Sequence, residues 1–167
     1  NYIMQNKSSK NLGILLTLYS GIRIGELCAL QWKDIDFKTN ILHINKTLQR
    51  VYIKDNQVNK SKIIITNPKT HNAEREIPLN KEFAKELNKF KTNPDDYILS
   101  CSGKWVEPRT YRRSFERLLE KAKVEKINFH GLRHTFATNC IKLGVDYKTV
   151  SELLGHATVN ITLNLYV

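Results

Sequence analysis

Residues 41–79 read ILHINKTLQRVYIKDNQVNKSKIIITNPKTHNAEREIPL, and this stretch decides the fold class. On either side of it apolar residues recur at helical spacing. Inside it they alternate with polar residues or run together as β-branched side chains. Ile41-Leu-His-Ile44, Leu48 to Ile53, Lys62-Ile-Ile-Ile-Thr66 and Arg75-Glu-Ile-Pro78 read as strands. Polar turns at Asp55-Asn56 and Asn67 to Asn72 separate them. Such connections are too short for crossovers, so the pattern predicts a small antiparallel sheet of about three strands.

Toward the N-terminus, Leu12 to Tyr19 is apolar enough for a buried helix; Ser20-Gly21 breaks it, and Ile24, Leu27, Cys28 and Leu30 resume at helical spacing. Toward the C-terminus, Asn80 can cap a helix running to about Lys91. Pro94-Asp95-Asp96 reads as a turn and Tyr97-Ile-Leu99 as a short strand. Pro108 suits a helix start, after which Tyr111, Phe115, Leu118, Leu119 and Ala122 share a face. Leu132, Phe136, Ala137, Ile141 and Leu143 mark a helix ended by Gly144, and Asp146 caps another ended by Gly155. In the last helix, Thr158 to Tyr166, Ile161 and Leu165 form the expected core stripe, with Thr162 and Tyr166 on the adjacent face. The pattern as a whole gives a mostly helical α+β domain. With 167 residues, 41% of them hydrophobic, and no repeat or low-complexity linker, residues 1–167 read as a single domain.

Twenty-seven lysines and arginines against sixteen acids give a formal charge of +11. Such an excess favours a polyanionic partner, most simply nucleic acid, through phosphate contacts and counterion release; a merely basic surface is the plain alternative. No apolar run is long enough to span a bilayer and no secretory signal is present, so no membrane role is expected. Cys28, Cys101 and Cys140 are widely spaced, form no CxxC pair, and point to a reduced, cytoplasmic setting without a structural zinc. The chain opens on Asn1 rather than methionine, and is therefore expected to be a fragment of a longer protein.

A set of polar residues stands out against this frame. His130 and Arg133 are three apart, hence on one helix face, where an arginine fork and a proton acceptor could meet a phosphate. His134 reads as a structural neighbour. His156 comes directly after Gly155, whose left-handed conformation throws it off a helix end. Arg23 starts a helix, where a bound anion would relieve its conflict with the helix dipole, and Glu26 one turn on could hold it. Lys69 sits on a turn between strands. Arg109, Arg112, Arg113 and Arg117 line the polar side of their helix, as a solvated face or as phosphate contacts. Each residue taken singly has an ordinary reading: a cap, a surface pair or a solvated tip.

Together they resemble the tyrosine recombinase, or phage integrase, family over roughly Leu12 to Tyr166. Ser20-Gly-Ile-Arg23-Ile-Gly-Glu26-Leu27 is similar to the family's first arginine box, and Trp32-Lys-Asp-Ile-Asp36 to the segment just after that box. Lys69-Thr70 before Arg75-Glu-Ile-Pro-Leu79 resembles the lysine-bearing β-turn. His130-Gly-Leu-Arg133-His134-Thr135 resembles the HxxR box, and Leu154-Gly-His156 with Thr162-Leu-Asn-Leu-Tyr166 the third box and the nucleophile. Related type IB topoisomerases usually carry lysine where His130 stands, which tilts the resemblance to a recombinase.

The resemblance implies an integrase-like catalytic core acting on double-stranded DNA. Tyr166 would attack a phosphate to give a 3′-phosphotyrosyl link, with His130 as base, Lys69 as acid, and Arg23, Arg133 and His156 on the non-bridging oxygens. Glu26 would orient one of these residues, and Arg109, Arg112 and Arg113 would touch DNA. The family needs no metal or other cofactor, and no carboxylate cluster in the chain suggests one. The full protein would self-associate as a tetramer on DNA, in a bacterial or phage setting beside the nucleoid. Against the family pattern, an N-terminal DNA-clamping domain and a C-terminal tail are expected to lie outside residues 1–167. Two alternatives use fewer of these residues: a topoisomerase-like strand transferase, and a DNA-binding module without catalysis.

Overall fold

A computed structural model describes residues 8–54, 59–67, 74–100 and 102–166. Its helices are α1 (Ser9–Ser20), α2 (Ile24–Ala29), α3 (Lys81–Asn88), α4 (Pro108–Lys121), α5 (His130–Lys142), α6 (Tyr147–Leu154) and α7 (Val159–Tyr166). The strands are β1 (Ile35–Asp36), β2 (Ile41–Ile44), β3 (Thr47–Lys54), β4 (Asn59–Thr66) and β5 (Arg75–Pro78). All pairings among them are antiparallel, as the short connections require, but they form two sheets. One is three-stranded in the order β1-β2-β5; the other is the β3–β4 hairpin. Pro78 faces Ile41 on β5, an edge strand, where its missing N–H is harmless.

α1 is buried on nearly every side, with Leu12, Ile14, Leu16, Thr17 and Ser20 all inside. The Ser8 hydroxyl accepts from the Asn11 N–H at its start, and Gly21 ends it in the left-handed region at φ 66°. α1 packs against α4 and α5, and α6 rests on both α5 and β5. The main core gathers Leu16, Ile22, Leu27, Leu42, Ile44, Ile77, Leu87, Tyr111 and Phe115 around α1, and a smaller one joins Ala137 to Val150 and Leu154. Phe129 stands edge-on to Tyr111 at 5.5 Å and to Phe115 at 5.3 Å, which anchors the first residue of α5, His130, to α4.

Five sequence expectations change. Tyr97 to Leu99 is no strand; Tyr97 makes one isolated bridge to Gln31 and the chain then turns. β1 was not expected, because two residues carry no visible alternation. α3 stops at Asn88, and Leu143, placed in an apolar stripe, caps α5 and is 84% exposed. In α7, Ile161 is 40% exposed and Thr162 fully buried, the reverse of the expectation for these two, since the threonine hydroxyl has a polar partner inside. Pro94 to Asp96 forms the expected turn; the turns expected between strands, at Asp55-Asn56 and Asn67 to Asn72, lie outside the described residues except for Asn67. Among the described residues, no helix is long and apolar enough to cross a membrane.

Gly21 is where α1 meets the C-terminal helices. A Cβ there would lie 2.4 Å from Phe136 Cδ1 and 2.9 Å from Leu154 Cδ2. Gly21→Ala therefore combines left-handed strain of about 1–2 kcal/mol with overpacking of about 1–3 kcal/mol. Urea unfolding should show a loss of roughly 2–5 kcal/mol at unchanged m-value; a loss below about 0.5 kcal/mol would contradict this packing.

Candidate active site

The site is built on the end of α6. Asp146 caps this helix by accepting from the Thr149 N–H at 2.9 Å, and Gly155, at φ 64°, stops it. The His156 N–H turns back to the Ser151 carbonyl at 3.0 Å. A helix end leaves its last carbonyls without partners inside the helix. Here three consecutive ones each accept from a different arginine. Arg75 Nε donates to Leu153 O at 2.7 Å, Arg133 Nη2 to Leu154 O at 2.7 Å, and Arg23 Nη2 to Gly155 O at 2.9 Å. Cations are favourable at a helix C-terminus, and charge-assisted bonds are the stronger kind. Arg133 Nη1 also donates to Gly21 O at 2.8 Å, so one buried side chain joins the ends of α1 and α6.

Glu26 holds two of these arginines. Its Oε1 accepts from Arg75 Nη1 at 3.1 Å and from Arg23 Nη1 at 3.0 Å. Its Oε2 accepts from Arg75 Nη2 at 2.8 Å and from the Arg23 backbone N–H at 2.8 Å, so Glu26 reaches back to the start of α2. Burial pushes the Glu26 pKa up, but the bonds and charge of Arg75, and then of Arg23, outweigh it and hold the carboxyl below its ordinary value. The ordinary reading of Arg23 and Glu26 as a surface pair is thus excluded, because the Glu26 side chain is only 6% exposed. Arg23 itself is the N-cap of α2, and its guanidinium points away to α6.

The sequence pattern places Arg75 on a strand, in the segment after the lysine-bearing turn, and gives it no role at the site. A usable signal was present: in Arg75-Glu-Ile-Pro78, Arg75 shares a face with Ile77, which is buried, so the arginine points inward too.

Three guanidiniums against one carboxylate leave excess positive charge beside a cleft of about 310 Å³. The cleft is lined by Arg23, Arg112, Asn128, His130 and Arg133, among others. His130 opens α5 and stands edge-on to His134 at 4.7 Å. Partial burial, then the neighbouring charges of His134, Arg133 and Arg23, lower its pKa, which keeps the ring neutral and able to accept a proton. His156 lies 2.8 Å, through Nδ1, from the buried Thr162 hydroxyl. This contact leaves Nε2 as the ring's other polar edge. Arg109, Arg112 and Arg113 are all exposed on α4, and of the three only Arg112 reaches the cleft. Lys69 lies outside the described residues; for Tyr166 the helical backbone is described, one turn beyond Thr162, but not the side chain.

Burial, reinforced by Arg133, Arg23, Arg75 and His130, pushes His156 down to about 4 from 6.5. The unfolded chain therefore takes up this proton first on acidification. The associated stability is complete above pH 6.5, falls as the pH drops toward 4, and changes no further below that. NMR titration of the imidazole should show a midpoint near 4, and His156→Gln should flatten the pH dependence of unfolding between 4 and 6.5. A midpoint at the ordinary 6.5 would refute the partly buried, cationic surroundings.

A sequence model described as "Phage integrase family" matches residues 2–167. The chain is 34% identical to a protein named tyrosine recombinase XerC-like from Caldanaerobacter subterraneus subsp. tengcongensis, over 91% of this chain and 44% of that one. It is 29% identical to the ICEBs1 integrase of Bacillus subtilis, over 88% of this chain and 41% of that one. It thus spans less than half the length of these relatives. The structure resembles that of the Tn1549 transposon integrase in complex with transposon right end DNA, with a TM-score of 0.75, 26% identity, and coverage of 94% of this chain and 54% of the other. An unbroken family match, relatives along most of the chain and a shared helical fold with its small antiparallel sheets lead to one conclusion: the chain belongs to the phage integrase family.

Proposed function

We propose that this chain is the catalytic part of a site-specific DNA recombinase, which cuts and rejoins double-stranded DNA through Tyr166. The observation that carries the reading is the meeting of Arg23, His130 and Arg133, from distant segments, around one positively charged cleft, with His156 close enough to feel the charge of all three. A phosphodiester supplies the negative charge that this cleft lacks. Arg23 has two of its five N–H donors engaged by Glu26 and Gly155, which leaves others for a non-bridging oxygen.

In the proposed reaction the Tyr166 phenolic oxygen forms a bond to phosphorus as the bond to the 5′-oxygen breaks. His130 takes the phenol proton. Lys69 gives a proton to the departing 5′-oxygen. Arg23, Arg133 and His156 hold the non-bridging oxygens while charge redistributes. The phosphotyrosyl diester keeps the energy of the broken backbone bond, so a 5′-hydroxyl can attack in reverse and reseal the strand without ATP. Glu26 orients Arg23.

Recombining two duplexes requires four strand cuts, and each copy offers one nucleophile. The full protein therefore works as a tetramer on DNA, in the cytoplasm beside the nucleoid, with Arg109, Arg112 and Arg113 on neighbouring phosphates.

The test is covalent capture. The full-length protein, incubated with nicked suicide DNA carrying its recombination site, should form an adduct that survives denaturant. Tyr166→Phe should abolish it, and Arg23→Gln or Arg133→Gln should slow it by about 10²–10³-fold. Absence of any wild-type adduct, or its persistence in Tyr166→Phe, would overturn the reading.

A further inference from the structure

We infer that Arg75 is a positioning residue for phosphoryl transfer: through Glu26 and the Leu153 carbonyl it fixes where Arg23 and His156 meet the phosphate. This rests on the function proposed above and adds a residue to it.

The Arg75 side chain is 6% exposed, as is that of Glu26, so the pair is closed off from solvent. Its fork occupies both carboxylate oxygens, at 3.1 and 2.8 Å, which fixes angle as well as distance. Those two oxygens are the ones that hold Arg23, one through its guanidinium and one through its backbone N–H. Rotation of the Glu26 carboxylate would therefore move Arg23. The third bond, from Arg75 Nε to Leu153 O, acts on the other partner. Leu153 is next to the residue that Arg133 holds and three before His156.

Arg75 is itself held by β5. It lies opposite Ile44 in the three-stranded sheet, two residues before Ile77, which is 1% exposed. The sheet thus provides a fixed reference for two phosphate ligands that belong to different helices. A stabilising role alone explains this poorly, because buried ion pairs contribute little net stability compared with apolar packing. They are well suited to fixing one geometry.

Arg75→Lys keeps the charge and loses the fork. At saturating DNA in the full-length protein, the variant should cleave about 10²-fold more slowly, the usual cost of a displacement near 1 Å, while its DNA Kd stays within about 3-fold of wild type. His156 provides a second readout, independent of DNA. In Arg75→Gln one of its neighbouring cations is gone and Glu26 is less neutralised, so the NMR midpoint of His156 should move up. Cleavage by Arg75→Lys within about 3-fold of wild type would overturn the inference, as would a loss confined to Kd or an unmoved His156 midpoint in Arg75→Gln.

If Arg75→Lys fails to fold, Glu26→Gln with Arg75→Gln removes both buried charges. Recovery of the fold without recovery of cleavage supports positioning; recovery of both overturns it. If the wild type forms no Tyr166-dependent adduct, the proposed function falls, and the His156 midpoint still decides whether Arg75 governs the surroundings of that ring.

Discussion

The last turn of α6 presents three backbone carbonyls that the helix cannot satisfy alone, and the site is arranged around them. Leu153, Leu154 and Gly155 each take an arginine, from β5, α5 and the start of α2. Segments up to 132 residues apart in sequence are thereby tied to a few ångströms of backbone. Gly155 is what makes this possible. Its left-handed conformation stops the helix cleanly, so the carbonyls point outward together instead of continuing into another turn.

Charge explains the rest of the arrangement. Carbonyl dipoles and one carboxylate are enough to bring three guanidiniums together, and not enough to neutralise them. Glu26 stays ionised despite its burial because Arg75 and Arg23 surround it. His156 stays neutral because it is partly buried and because a further positive charge is unfavourable beside the arginines. A phosphate reverses that balance. It would be attracted to the arginines and would make protonation of His156 easier, so the histidine can change its role once the anion is in place.

Much of this was legible in the sequence, in proportion to how local the determinants were. Ser20-Gly21, Asp146, Gly155 and Pro108 marked helix ends because caps and left-handed glycines act within a few residues. The β-branched runs marked β2 to β5, but not their division into a sheet and a separate hairpin, which depends on pairing between distant strands. Arg23, His130, Arg133 and His156 were recognisable as a set by their resemblance to a family, and the structure gathers them. What they bond to was not recognisable, because backbone carbonyls have no letter in a sequence. Arg75 was missed for a related reason: its inward direction was readable from Ile77, but its partner Glu26 lies 49 residues away. The face of α7 was misjudged because apolar spacing assumes an apolar interior, and Thr162 turns inward to meet His156.

That contact has a mechanical consequence. Only His156, Ala157 and Thr158 separate Gly155 from α7, a leash of about 10 Å when fully drawn out. Its first residue is secured to Thr162, one turn before Tyr166. Any displacement of α7 as a body pulls the threonine from the imidazole and lets that ring swing. Delivery of the tyrosine and aim of the histidine are therefore interlocked, like a trigger and its safety catch. In the reaction proposed above, a subunit whose terminal helix has come away would hold the phosphate with one ligand out of true, disarmed by the same movement that carries off Tyr166.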